Sequence, residues 1–212
     1  FELSGQPNAN SKIHVTVKRL NPETGKTERS SGEPLSPVTG YVPADLFGPG
    51  MNHLSFKIRH GDRTLHTLTQ KIYVYSEDAA LISALDVKGK QGWGRLGINT
   101  SVGGQQLRVN NQAFAFGLGT HAPSEHKIPL DGNFAWFETY FGLDDESRCG
   151  DGAVFEIWAD GKQLYKSPTI KRGAVKKALV AVSGYQELRL VTHEGKTKGC
   201  DHADWLNPVL YR

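Results

Sequence analysis

The chain has 212 residues, 38% of them hydrophobic, with 24 glycines, 10 prolines and a formal net charge of +3. This length suffices for one large or two small domains, and the composition is typical of a turn-rich soluble β protein. No block of basic residues stands out, so the sequence predicts no nucleic-acid partner. No run of about 18 apolar residues occurs, and the sequence therefore predicts no membrane-spanning helix.

The first third of the chain predicts a small β domain. Residues 13–17 and 54–58 alternate apolar and polar side chains, as half-buried strands do. Turn residues separate these strands, and a connection rich in proline and glycine covers residues 34–50. The strand spacing favours an immunoglobulin-like β-sandwich over residues 1–76, without the Cys–Trp–Cys core of antibody domains. We expect this domain to be a spacer or a packing partner.

The remainder predicts a second, larger β domain. Residues 77–85, which include the only stretch of modest helical character, are the predicted linker. Residues 86–212 again alternate as strands, with an aromatic strand over 134–143 and a type I′ hairpin turn at Asp160-Gly161. Few helices, short strands and frequent turns indicate an antiparallel sandwich or jelly roll.

The two cysteines, Cys149 and Cys200, each lie beside glycine and aspartate in a loop-like segment. Two polar loops with one cysteine each favour a disulfide over a zinc site, which needs more cysteines or a paired histidine spacing. Two unrelated free thiols are the alternative. A disulfide places the two Cα atoms about 5–6 Å apart, which brings Arg148 and the surrounding acidic loop next to the segment Asp201–Trp205. It also implies an oxidising, extracytoplasmic setting.

The segment Cys200–Trp205 contains the side chains that a polyhydroxylated ring requires. Asp201 and Asp204 offer hydrogen-bond acceptors, and Trp205 offers a broad apolar face. An ordinary loop closed by a core tryptophan is the alternative interpretation.

Two further segments are candidates for a site. His121 follows the closely spaced glycines of the segment 117–119, which permit a sharp turn and a close approach to a ligand. A histidine that only bonds neighbouring loops is the alternative. The acidic loop contains Asp144, Asp145 and Asp151, whose oxygens are ligands that Ca²⁺ prefers, although the EF-hand spacing is absent. A solvated acidic turn explains these residues equally well.

A resemblance to a known family covers residues from about Ala80 to Arg212. The matching segments occur in the order found in the NPCBM module, also called carbohydrate-binding module family 51. They are Trp93, Asn99, Gly117–Ser124, Asp131-Gly132, Gly142–Asp145, Val154–Gly161 and Asp201–Trp205. The resemblance implies a galactose-binding-like jelly-roll β-sandwich of the kind usually appended to secreted bacterial glycoside hydrolases. It also implies recognition of galactose-type glycans, often with a structural calcium ion.

The predicted function is therefore non-catalytic binding of a galactose-type glycan, by an accessory region of a larger secreted bacterial protein whose other domains are its partners. The predicted ligand-binding residues are His121, Arg148, Asp201, His202, Asp204 and Trp205. The predicted ligands of a structural calcium ion are Asp144, Asp145 and Asp151. One alternative is a structural or adhesive pair of β-sandwiches with a degenerate sugar site. The other is a glycosidase that uses Asp201 or Asp204 as its general acid or nucleophile, with the acidic loop opposite, as glycosidases use paired carboxylates.

Overall fold

The computed structural model describes residues 11–32, 44–197 and 199–212, and the chain divides into two compact units, Phe1–Glu77 and Asp78–Arg212. Helical structure in the described residues is limited to two short 3-10 segments, Ala44–Leu46 and Ile82–Ala84. No helix within these ranges is long and apolar enough to cross a membrane.

The first unit contains an antiparallel sheet of four strands. These are β1 (Ser11–Leu20), β2 (Thr27–Ser31), β3 (Gly50–His60) and β4 (Arg63–Val74), in the order β2-β1-β3-β4. The predicted strands at 13–17 and 54–58 lie within β1 and β3. One face buries Val15, Val17, Leu54 and Phe56 beneath Leu46 and Phe47. The described residues of this unit form no second sheet, so the immunoglobulin-like sandwich is not confirmed. Residues 1–10 and 33–43, which that prediction included, lie outside the described residues.

The second unit is a β-sandwich, which confirms the predicted all-β fold of this region. One sheet contains β5 (Ala79–Leu81), β7 (Gly97–Ile98), β10 (Gly117–His121), β12 (Trp136–Leu143), β15 (Lys176–Ala181) and β17 (His202–Tyr211). The other contains β6 (Lys88–Gln91), β11 (Ser124–Pro129), β13 (Ala153–Ala159), β14 (Lys162–Lys166) and β16 (Glu187–Glu194). The strand order of the first of these sheets is β15-β12-β17-β10-β7, and β5 also pairs with β17. The strand order of the second is β14-β13-β16-β11-β6. A short ribbon joins β8 (Arg108–Val109) to β9 (Gln112–Ala113).

The core of the second unit lies between its two sheets. Leu118, Phe141 and Trp205 come from one sheet, Phe155 and Leu190 come from the other, and all five side chains are fully buried. Complete burial of a large apolar side chain contributes about 1.5–3 kcal/mol to folding. The packed core fixes the positions of the strands and therefore of the residues at their ends.

Part of the predicted linker belongs to the second unit. Ala79–Leu81 forms β5, which pairs with Val209–Tyr211 at the end of β17, and Ile82 is fully buried in the core. The prediction of a linker over 77–85 is corrected accordingly. The sequence predicts a linker here because Glu77 and Asp78 are polar and the apolar strand that follows them, β5, is only three residues long.

The predicted disulfide is present. Cys149 and Cys200 are bonded, and their Cα atoms are 5.4 Å apart. The bond joins the loop that follows β12 to the segment that precedes β17, and Ser147 Oγ also donates a hydrogen bond to the carbonyl of Cys200. Two loops that are distant in sequence therefore lie at one end of the sandwich.

Candidate functional site

Three aromatic rings meet at the same end of the sandwich: Trp93, His121 and His202, hereafter the ring cluster. The ring centroids of His121 and His202 are 5.3 Å apart. The Trp93 ring lies 5.8 Å from His121 and 5.6 Å from His202, and it is nearly parallel to the latter, at 12°. Trp93 is 57% exposed. The cluster therefore presents an open aromatic surface beside two imidazoles.

The strand register places the two histidines side by side. His121 is the last residue of β10 and His202 is the first residue of β17, and the two are directly opposite in the antiparallel pair. Directly opposite side chains have Cβ atoms about 4.5–5.5 Å apart. The ring contact therefore follows from the pairing of two neighbouring strands, which supports both rings rigidly.

Trp93 lies in the turn that follows β6, which hydrogen bonds hold in place. Gln91 Nε2 donates a hydrogen bond to the Trp93 carbonyl at 2.7 Å. The Gly92 N–H donates to the His121 carbonyl at 3.3 Å. Gly94 has a φ of +69°, a conformation that favours glycine. These contacts tie the turn to the end of β10, so the indole stands next to the histidines.

One nitrogen of each imidazole is already engaged. His121 Nδ1 lies 2.7 Å from the carbonyl oxygen of Ala122, and His202 Nδ1 lies 2.8 Å from Glu146 Oε1. Carbonyl and carboxylate oxygens only accept hydrogen bonds, so each Nδ1 bears the proton. Nε2 of each ring is then the nitrogen left for a ligand: an acceptor in the neutral imidazole, and a donor in the charged form.

Glu146 completes the site at the edge of the ring cluster. Its Oε1 also accepts a hydrogen bond from the Gly103 N–H at 3.1 Å. A Cβ atom at Gly103 would lie 2.5 Å from Glu146 Oε2, so a side chain there would displace the carboxylate. Glu146 therefore presents a fixed carboxylate that can accept hydrogen bonds from hydroxyl groups.

Three predicted ligand-binding residues are structural instead. Asp201, Asp204 and Trp205 are fully buried, so their side chains are not accessible to a ligand at the surface. The Trp205 ring packs against Phe141 and Phe155, with centroid distances of 5.7 and 5.1 Å. We correct their role to support of the loop and the core, which is the alternative interpretation of this segment.

Burial favours the neutral form of the Asp204 carboxyl. Burial, and next the neighbouring carboxyl of Asp144, raise the pKa of Asp204 well above its usual range. A protonated carboxyl can donate a hydrogen bond to Asp144, which an ionised pair could not do. Burial also raises the pKa of Asp201.

The predicted calcium ligands are engaged with the backbone. Each carboxylate of Asp144, Asp145 and Asp151 accepts backbone N–H hydrogen bonds of 2.8–3.1 Å. The N–H groups of Arg108 and Glu146 donate to Asp144, those of Asn110 and Asn111 donate to Asp145, and that of Lys196 donates to Asp151. In the described part of the chain, no group of three or more His, Cys, Asp or Glu side chains could hold a metal ion. The three aspartates as calcium ligands, and calcium binding itself, stay predictions.

Of the predicted ligand-binding residues, the structure brings together His121 and His202. Arg148 is exposed in the loop beside Cys149, and its role stays a prediction. Sequence reasoning missed Trp93 and Glu146 as site residues. The signal for Trp93 was its position between two glycines, which is typical of a tryptophan in a turn rather than in a core strand.

A protein-family model described as the NPCBM/NEW2 domain matches residues 74–211. The chain is 32% identical over 107 residues to a putative endo-alpha-N-acetylgalactosaminidase of Renibacterium salmoninarum, covering 49% of this chain and 7% of that protein. It is 30% identical over 124 residues to alpha-1,3-galactosidase B of Akkermansia muciniphila, covering 56% of this chain and 16% of that protein. The chain thus spans only a small part of either relative.

Solved structures share the fold. One is the CBM51 of a Clostridium perfringens GH95 protein in complex with methyl-galactose, with a TM-score of 0.58 and 26% identity over 62% of this chain and 99% of that chain. Another is the structure of the CBM51-2 and INT domains of Clostridium perfringens ZmpB in complex with GlcNAc. Its TM-score is 0.60, at 24% identity over 77% of this chain and 38% of that chain. This second similarity shows the fold alone.

Proposed function

The chain belongs to the NPCBM/NEW2 domain family, and on this basis we propose that its second unit binds galactose-type carbohydrates through the ring cluster. The observation that carries the proposal is the exposed indole of Trp93 beside two histidines and Glu146. The similar CBM51 of Clostridium perfringens GH95 was solved with methyl-galactose. The curated relatives are a putative endo-alpha-N-acetylgalactosaminidase and an alpha-1,3-galactosidase, which also supports a galactose-type ligand.

The chemistry of the site suits a single sugar ring. In this proposal, the apolar C–H face of a pyranose packs on the exposed indole, while Nε2 of His202 and Glu146 Oε2 bond its hydroxyl groups. His121 is only 7% exposed and contributes through its ring contacts with Trp93 and His202. Stacking on one aromatic ring contributes about 1–3 kcal/mol, and each exposed hydroxyl bond adds little net free energy. We expect a dissociation constant of about 0.1–1 mM for a monosaccharide.

We propose an accessory role in a larger secreted bacterial glycoside hydrolase. The Cys149–Cys200 disulfide supports an oxidising, extracytoplasmic location. A millimolar monosaccharide site retains an enzyme on a glycan-rich surface only when several contacts act together, and other domains of the same polypeptide would supply these.

The glycosidase alternative has no structural support. A glycosidase needs two carboxyl groups that flank the bond to be cleaved. Asp201 and Asp204, one of which that alternative places opposite the acidic loop, are both fully buried. Neither side chain can approach a glycosidic oxygen.

Calorimetric titration with methyl-galactose and with its 4-epimer, methyl-glucose, tests the proposal. We expect methyl-galactose to bind in the range given above, and Trp93→Ala to weaken it at least about tenfold, which corresponds to about 1.4 kcal/mol. Tyr75→Ala is the matched control, because Tyr75 is an exposed aromatic residue of the other unit, 76% accessible. No heat with either sugar, or equal binding by Trp93→Ala, would overturn the proposal in favour of a structural or adhesive role.

A further inference from the structure

A cavity lies in the second unit, at the end of the sandwich that carries the ring cluster. Its volume is about 340 Å³, which is the size of a small-molecule binding site. Three neighbouring strands, β6, β11 and β16, line it together with the turn that follows β6. The lining includes Lys90, Gly92, Pro123, Glu125, Val191 and His193.

The floor of the cavity is a row of side chains across the sheet. Lys90 of β6 is opposite Glu125 of β11. Val191 of β16 is opposite Glu125 on one side and Glu156 of β13 on the other. Leu190 is buried in the core, and successive side chains of a strand point to opposite faces of the sheet. The row therefore points away from the core, with an apolar residue between two carboxylates.

Ion pairs hold both carboxylates of this row in place. Glu125 Oε2 lies 3.5 Å from Arg189 Nη1. Glu156 Oε1 lies 3.0 Å from Lys166 Nζ, and its Oε2 lies 3.2 Å from His193 Nε2. The Glu125 side chain is nevertheless 31% exposed. It can therefore accept a further hydrogen bond from a group in the cavity.

The cavity adjoins the ring cluster. The turn that carries Trp93 forms one wall through Gly92, the residue before it, and Gly92 lies against Pro123. A Cβ atom at Gly92 would lie 2.9 Å from Pro123 Cδ. Pro123 is two residues from His121, so their Cα atoms are at most about 7 Å apart. A ligand longer than one sugar ring can therefore contact the ring cluster and the cavity together.

The lining combines three kinds of contact over a short span. Lys90 offers a hydrogen-bond donor, Glu125 offers an acceptor, and Val191 and Pro123 offer apolar surface. An acetamido group carries the complementary set: a carbonyl acceptor, an N–H donor and a methyl group. A hydroxyl group in its place would leave the apolar surface uncovered. Since each basic side chain of the lining faces a carboxylate, charge does not favour an acidic sugar.

We propose that the cavity binds the acetamido group of an N-acetylhexosamine that is linked to the galactose on the ring cluster. Lys90 Nζ donates a hydrogen bond to the acetamido carbonyl, and the acetamido N–H donates to the Glu125 carboxylate. The methyl group packs on Val191 and Pro123. This acetamido site rests on the proposed function and extends its ligand from a single galactose to a disaccharide.

Calorimetric titration with lactose and with N-acetyllactosamine tests this site. Both disaccharides end in galactose, and they differ only in the hydroxyl or acetamido group of the second sugar. Lacto-N-biose joins the same two sugars as N-acetyllactosamine through a different linkage. We expect the better ligand of these two acetamido disaccharides to bind about tenfold more tightly than lactose. Saturation-transfer nuclear magnetic resonance should show its acetamido methyl group in contact with the protein.

Two substitutions in the cavity should remove this preference. Lys90→Met deletes the donor to the carbonyl, and Val191→Phe fills the space of the methyl group. Each should reduce the preference to about threefold or less and leave methyl-galactose binding unchanged, which also verifies that the unit remains folded. Lys176→Met, at an exposed position of the other sheet, is the matched control and should keep the preference. Loss of the preference in this control, or its retention in both cavity variants, would overturn the proposal.

The outcomes separate the acetamido site from the galactose site. If methyl-galactose binds but lactose and both acetamido disaccharides bind equally well, the acetamido site is wrong and the galactose site stands. If none of these sugars binds, both sites are wrong. Saturation transfer to the acetamido methyl group that persists in Val191→Phe would contradict the placement of that group in the cavity.

Discussion

His126 makes the stability of the second unit depend on pH. The residue is 1% exposed in β11, and neither ring nitrogen has a hydrogen-bond partner among the described residues. It is opposite Gly89, where a Cβ atom would lie 2.5 Å from its Nδ1. Burial lowers the pKa of His126 from its usual 6.5 to about 4, against a small opposing effect of the Glu125 carboxylate. The native state therefore holds this imidazole neutral.

The sign and size of the effect follow from linkage. A lowered pKa in the folded state means that the unfolded chain binds the proton more readily. The contribution of His126 to stability is fully present above pH 6.5 and is lost as the pH falls towards about 4. The difference between these two pKa values corresponds to about 3 kcal/mol, and a loss of this size is a large fraction of the stability of a domain.

Urea unfolding followed by tryptophan fluorescence measures this loss. All four tryptophans, Trp93, Trp136, Trp158 and Trp205, lie in the second unit, so the signal reports on that unit alone. Between about pH 7 and pH 4, the unfolding free energy of the wild type should fall by about 3 kcal/mol more than that of His126→Leu. His66→Leu, at an exposed position of the other unit, is the control. Parallel pH profiles for His126→Leu and the wild type would refute the reasoning.

Three further predictions concern the support of the ring cluster. Asp204→Asn imitates the protonated acid. Because the raised pKa of Asp204 makes the stability of the wild type fall as the pH rises through that pKa, the unfolding free energy of the variant should increase relative to that of the wild type from pH 4 to 9 in urea unfolding. A difference in unfolding free energy that stays constant over this range would contradict the prediction. Replacing Cys149 and Cys200 by serine opens a loop with a sequence separation of 51 residues and should cost about 4 kcal/mol in the same assay; a loss below about 1 kcal/mol would contradict it. Gly103→Ala should displace Glu146 and weaken methyl-galactose binding in calorimetry with little change in melting temperature; unaltered affinity would remove Glu146 from the site.

Local features of the fold could be predicted from the sequence. Asp160 and Gly161 have φ values of 45° and 81°, as a type I′ turn between β13 and β14 requires. The disulfide was predicted from the similar loops around the two cysteines, and it correctly joined the acidic loop to the start of β17. These inferences succeeded because turn chemistry and disulfide geometry depend on a few neighbouring residues.

The site itself could be predicted only in part. The sequence could not distinguish the exposed Trp93 from the buried Trp205. Trp205 lies in β17, a central strand in which nearly every residue is buried, so the strand has no alternation of apolar and polar residues that would predict which side chains face the core. The ring contacts between Trp93, His121 and His202 depend on strand pairing across the sheet.

The central claim is that a galactoside stacks on Trp93 next to His121 and His202. Its most direct test is a methyl-galactose titration that follows the indole N–H signals of the four tryptophans by nuclear magnetic resonance, assigned with Trp93→Phe. The account predicts that the Trp93 signal shifts with saturation at about 0.1–1 mM, while the signal of the buried Trp205 stays in place. A shift confined to another tryptophan, or no shift at all, would contradict it.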